Sequence, residues 1–357
     1  MLTANWIDGR EEFDDLAPEW ATVLPADARP FDLHCWYGAW WDAFGGDCEP
    51  AVCTLQEDGR LVGVAPLVRE GRGFGALANV HSSVFRPLAR DGEAMEQLLG
   101  AVLGERPSRL RMPALPERDP CVGQLREAAA GAGMRLALEP AAVSPIVATD
   151  GDFDAWRKES KGRWGAPLER FRRKMGRDHD AAFSIVEEPE DLAAELDDGF
   201  RVEASGWKGE AGTAILSQPQ TLAFYTAIAN AFHQRGELRL SRIVLDGETA
   251  AFDLCLLYAG RLYLLKTGFD ERFRRLAPGL VMRLSIVERC FELGLEAHEL
   301  LGDDSEWKRK FATTERRHVG ALGYRRGPSG AARFFYREKG RPALKGLYRR
   351  LRPAGRK

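Results

Sequence analysis

What this sequence lacks narrows the field first. Its six cysteines (35, 48, 53, 121, 255, 290) form no C-x-x-C pair. Its six histidines (34, 81, 179, 233, 298, 318) form no cluster, so no Cys/His metal-ligand spacing is present, and the thiols read as small core residues. No apolar run approaches the ~20 residues of a bilayer-spanning helix. Ser82 and Ser83, after His81, sit in no G-x-S-x-G elbow, and GRGFG (71–75) lacks the following Lys and the strand–helix context of a phosphate loop. These gaps argue against zinc enzymes, Ser/His hydrolases, P-loop nucleotidases and membrane-spanning proteins. The acidic start MLTANWIDGREEFDD carries no apolar signal-peptide core, and a cytoplasmic protein is the expectation.

What is there is an ordinary globular balance, 45% apolar and 29% charged, over 357 residues. That length suits two domains better than one core. The net charge of −2 hides an asymmetry. The tail ARFFYREKGRPALKGLYRRLRPAGRK carries ten Lys/Arg against Glu338, so it stands at +9 and the remainder at −11. A short basic amphipathic piece, ALKGLYRRL, fits weak contact with an anionic membrane surface.

The second half reads most clearly. PEDLAAELDDGFRVEASG (189–206) and QPQTLAFYTAIANAFHQRG (218–236) have helical apolar spacing. LRLSRIVL (238–245), TAAFDLCLLY (249–258) and RLYLLKT (261–267), separated by DGE and AG, predict an antiparallel meander. A basic loop, Gly268–Ala277, leads to a Pro-Gly and a helix from about Gly279 to Leu293, stopped by Gly294. EAHELLG reads as a further strand and DDSEWKRKFAT as a short capped helix. HVGALGYRR and ARFFYRE read as a hairpin across GPSG.

The first half repeats this order loosely: an aromatic helix (32–46), a hairpin (49–70), a helix (92–103), then strand, helix and strand. Two α+β units in tandem suggest an internal duplication. The expected layout is a first unit over 1–156, a basic joint over 157–180, a second unit over 181–336 and a basic tail over 337–357.

An anion-binding turn after the third meander strand, entering a helix, resembles the GNAT acyltransferase fold. The phrases EASGWKGEAGTAI (203–215), LDGETAAFDLCLLYAGRLYLLKTGFDERFRRLAPG (245–279) and LLGDDSEWKRKFA (300–312) resemble the CelD-type group, related to the Fem peptidyltransferases with their paired GNAT domains. The resemblance implies a mixed α+β sheet in tandem GNAT-like domains, the first copy degenerate. It also implies transfer from acetyl-CoA or another acyl-CoA, without a metal, to an amine or hydroxyl. Pantetheine would pair with Arg261–Thr267, Leu265 and Thr267 included. The pyrophosphate would meet Arg272, Arg274 and Arg275 and the backbone at Pro278, Gly279 and Leu280. The usual glycine-rich signature is replaced by RRLAPG.

Acyl transfer needs a proton acceptor and stabilisation of the departing thiolate, unless the amine attacks already neutral. Asp270, after the strand, is a candidate base. Lys266 interrupts an apolar strand, so it either pairs with a carboxylate such as Asp253 or faces a cleft. Glu203, Trp207 and Lys208 share a Gly-punctuated loop suited to an acceptor. Lys308, beside Trp307, falls where the resemblance puts a residue reaching the site. The acceptor expected is a small molecule or glycan-type group, with no specific nucleic-acid partner. The alternatives are a Fem-like transferase using aminoacyl-tRNA and a scaffold for polysaccharide assembly.

Overall fold

A computed structural model describes residues 1–160, 165–302 and 304–327, with all side chains but those of Ser160, Trp207 and Lys208. The basic tail and ARFFYRE lie outside the described residues. The first half comprises strands β1 (Leu2–Ile7), β2 (Glu49–Glu57), β3 (Arg60–Glu70), β4 (Gly73–Ala76), β5 (Leu88–Ala89), β6 (Arg109–Pro116) and β7 (Met134–Ala148). Helices α1 (Arg10–Asp14), α2 (His34–Phe44), α3 (Gly92–Gly104) and α4 (Pro120–Gly131) cover them. Asp91 and Asp119 start α3 and α4 by accepting from Ala94 N–H and Cys121 N–H.

Two helices, α5 (Phe153–Ser160) and α6 (Ala166–Asp178), join the halves. The 157–180 joint is thus largely helical. Leu168 and Met175, seven residues apart on one stripe, bury α6 against the second half, while Arg170, Arg173, Lys174 and Arg177 share its exposed opposite face.

The second half comprises β8 (Ala181–Val186), α7 (Leu192–Ala204), α8 (Trp207–Glu210), α9 (Pro219–Gln234), β9 (Leu238–Leu245), β10 (Glu248–Tyr258), β11 (Arg261–Phe269), α10 (Pro278–Glu292), β12 (Ala297–Glu299), α11 (Glu306–Phe311) and β13 (Thr314–Arg325). The meander, the long helix and the short strand after it stand where their sequence patterns predict.

All strands join one sheet in the order β1-β2-β3-β4-β6-β13-β7-β12-β11-β10-β9-β8, with β5 on β3. Each half carries one parallel pair. β4 meets β6 at Phe74–Gly75, and β11 meets β12 at Arg261–Tyr263, each across a helical connection. The last strand breaks the symmetry. β13 inserts into the first half, pairing with β6 on one edge and β7 on the other. HVGALGYRR is thus paired on both edges, while ARFFYRE, the other arm of the expected hairpin, lies outside the described residues. β7 in turn reaches β12 through Ile146–Ala148, so the two sheets become one.

One apolar cluster runs from the α2 aromatics through the first half to α7, α9 and one face of β10; a second packs α10 and α6 on the other face. Among the described residues no helix is long and apolar enough to cross a membrane.

Candidate active site

The site begins where β12 leaves β11. Pairing holds at Arg261, Leu262 and Tyr263 and then stops, while β11 continues to Phe269. A cavity of about 720 Å³ opens in the wedge, lined along β11 by Leu264 through Phe269. The α10 N-terminus (Pro278, Gly279, Leu280) and Arg274 close one end, and Leu300–Gly302, Ser305, Trp307 and Lys308 the side across from β11.

A β-bulge fixes what β11 shows to this cavity. Leu254 pairs with Lys266 but Cys255 with Leu264, which leaves Leu265 as the extra residue. The bulge turns Lys266 to the α9 face, with its ammonium 4.7 Å from the Tyr225 ring centroid. Asp253, opposite Thr267, faces the other way. Of the two alternatives that the sequence leaves for Lys266, a place on the cavity wall is the one its geometry favours. Asp253, fully buried, is engaged by Arg283 of α10 and lines no part of the cavity.

Arg283 also reaches His298, Nη1 to Nε2 2.7 Å, and His298 Nδ1 donates to the Leu262 carbonyl at 3.0 Å. This buried chain ties β10, α10, β12 and β11 together at the point where the wedge opens. Burial first, then the Arg283 charge, holds the His298 pKa down to about 3. His318 on β13 is held to about 4 by burial and by Arg29 and Arg316. Both are depressed below the ordinary value of 6.5, so the unfolded chain binds the extra protons between those limits. Stability is therefore full above about pH 6.5 and falls as pH drops toward 4, by up to ~1.4 kcal/mol per pH unit for each histidine. Urea midpoints measured from pH 7 to pH 5 should fall; a flat profile would remove both histidines from the buried neutral state.

Two expected donor-site residues have other work. Asp270 accepts from the Arg272 backbone N–H at 2.9 Å and from its guanidinium at 2.6 and 2.9 Å. It caps the 3₁₀ turn Glu271–Leu276, does not line the cavity, and its pKa is lowered chiefly by the Arg272 hydrogen bond. A carboxylate so committed, and outside the cavity lining, is poorly placed to take an acceptor's proton. Arg272 is spent on Asp270 and Glu248, and Arg275 is exposed outside the lining; of the three arginines only Arg274 reaches the cavity. The helix N-terminus beside it follows Ala277, which takes a left-handed φ of 50° before Pro278.

Glu203, in the last turn of α7, is 2% exposed, lines the cavity and accepts from Ile215 N–H at 3.0 Å. It thereby fixes the connection that follows α7. Lys308 is buried, donates to the Leu301 carbonyl at 2.7 Å and lies 5.6 Å from the Trp307 ring. Of the residues named from sequence, Glu203, Leu265, Lys266, Thr267, Arg274, Pro278, Gly279, Leu280 and Lys308 meet around one cavity. Trp207 and Lys208 begin α8 in the same connection, their side chains outside the description.

The first half supplies what the sequence did not signal. The segment after β4 brings Val80, His81 and Ser83 to the cavity wall. His81 contacts Tyr225 Oη through Nδ1 at 3.2 Å and Thr221 Oγ1 through Nε2 at 3.4 Å, and it stacks on Phe44. Some 140 residues separate His81 from these α9 partners, so no local pattern announces the contact.

Residues 166–309 match the family described as acetyltransferase (GNAT) domain. No curated protein matches the chain. Among solved structures, FemX aligns with a TM-score of 0.58 at 11% identity, covering 94% of this chain and 99% of that one. The C-terminal domain (DUF2156) of a protein assigned as lysylphosphatidylglycerol synthetase from Agrobacterium fabrum aligns with a TM-score of 0.56 at 16% identity, covering 92% and 95%. L-PGS from Bacillus licheniformis aligns at 0.54 and 13%, covering 94% and 97%. At such identities the likeness is one of fold, and it spans both halves. Residues 166–309 thus match a GNAT acetyltransferase domain, which supports an acyltransferase, and the fold shared with FemX spans both halves of the chain.

Proposed function

We propose that the protein transfers an acyl group from acyl-CoA to an amine or hydroxyl of a small-molecule or glycan-type acceptor. The observation that carries this is the wedge between β11 and β12, whose β11 wall runs on for six residues, Leu264 to Phe269, beyond the last pair. An extended pantetheine arm fits such an edge as an added strand does, through main-chain hydrogen bonds. Its phosphates then lie toward Arg274 and the α10 N-terminus, where backbone N–H groups and the helix dipole favour anions.

On the α7 and α9 side, Glu203 presents a carboxylate suited to drawing in a cationic amine, while Lys266 faces the thioester end. Attack joins the acceptor to the acyl carbon and breaks the C–S bond. Lys266 and Lys308 are the cations placed to offset charge on the carbonyl oxygen and the leaving sulfur.

Calorimetric titration with acetyl-CoA and longer acyl-CoAs tests the reading. Saturable micromolar binding is expected, weakened about tenfold in Arg274→Ala, or ~1.4 kcal/mol. Arg275→Ala should leave it nearly unchanged, since that side chain misses the cavity. Absence of binding to every acyl-CoA would overturn the proposal. Attention would then pass to aminoacyl-tRNA, for which the exposed basic stripe Arg170–Arg173–Lys174–Arg177 of α6 is the observation in favour.

A further inference from the structure

We propose that His81, supplied by the first half of the chain, is the group that receives the acceptor's proton, so that the catalytic site is composite across the duplication. The inference rests on the acyl-CoA reading above.

The geometry behind it is specific. His81 lies on the cavity wall with Lys266 and Tyr225, on the face to which the Leu265 bulge turns the lysine. Phe44 stacks on the ring, with centroids 5.6 Å apart, and fixes its plane. Nδ1 is held by the Tyr225 hydroxyl at 3.2 Å, whereas Nε2 makes, among the described residues, the long contact to Thr221 at 3.4 Å, which an incoming N–H or O–H can displace. The charged and titratable groups facing it are Lys266 from β11 and, behind Tyr225 of α9, Glu203 from α7. Burial and then Lys266 keep the imidazole neutral, its pKa near 4, so its lone pair is available throughout the neutral range. The first half therefore does more than frame a cleft.

The step balances without another reagent. The acceptor's lone pair forms the bond to the thioester carbon, and the C–S electron pair leaves with sulfur. The acceptor's proton passes to His81, and the imidazolium, disfavoured beside Lys266, yields it to the thiolate to give the free thiol. Proton-transfer catalysis of this kind contributes about 10²–10⁴-fold.

The test uses the whole chain with acetyl-CoA as donor and water as acceptor, read as thiol release, beside calorimetric acetyl-CoA binding. The wild type should release thiol above the buffer rate. His81→Gln should lose about a hundredfold of that excess while acetyl-CoA affinity and melting temperature stay close to wild type. His81→Ala should regain release when imidazole is added, a rescue that a merely structural histidine does not give. Unchanged release in His81→Gln, release lost only in proportion to donor affinity, no rescue, or no wild-type release above background would each overturn the proposal. Failure of the acyl-CoA reading shows separately, as absence of donor binding to the wild type.

Discussion

Arg283→Met is expected to lower the free energy of unfolding by about 3–5 kcal/mol, the largest effect of any single change near the site. Arg283 and Asp253 are both fully buried, on α10 and β10, and form an ion pair. The pair itself adds little net stability, because desolvation offsets most of its attraction. Breaking it is different. Methionine fills the arginine's space but takes from the Asp253 carboxylate its fully buried guanidinium partner, and His298 Nε2 loses its donor as well. The companion double variant, Arg283→Met with Asp253→Leu, should recover most of the loss, since a matched apolar replacement of a buried pair is often neutral. Urea denaturation followed by circular dichroism measures all three proteins. A single-variant loss below ~1 kcal/mol would mean that water reaches the pair and that the junction of β10, α10, β11 and β12 is not closed as described.

That junction also marks where the sequence stops being informative. Periods of 3.6 and 2 placed α9, the meander and α10 close to their true bounds, because each buries one face or stripe against a core. Lys266 and Asp253 stand out in the sequence because a charge inside an apolar run must find a partner. Which partner was not legible. It depends on the single extra residue at Leu265, and a one-residue shift moves every following side chain to the opposite face. The capping role of Asp270 is legible, since an Asp two residues ahead of Arg272 in a short turn is a capping signal. The place of β13 between β6 and β7, and the contact of His81 with α9, come from pairing across the duplication. No local window contains them.

Gly268→Ala should cost about 1–3 kcal/mol in stability and, in addition, most of the activity. A β-carbon at Gly268 would stand 2.5 Å from the Glu203 α-carbon and 3.0 Å from its amide nitrogen. The obstacle is backbone, so no rotamer relieves it; α7 must move away from β11. Glu203 moves with it, and its hydrogen bond from Ile215, which fixes the connection after α7, is the first contact strained. The cavity wall shared by β11 and α7 then opens on the acceptor side. Gly279→Ala is the matched control. There the nearest atom is Phe269 Cδ1 at 3.6 Å, an ordinary contact, and alanine in the first turn of α10 gains helix propensity. That variant should melt at or slightly above the wild-type temperature. The contrast separates two glycines that look alike in the sequence, one admitting a helix to the strand and the other only opening a helix. Should Gly268→Ala melt and turn over like Gly279→Ala, α7 does not press on β11 at Glu203, and that carboxylate loses its place in the site.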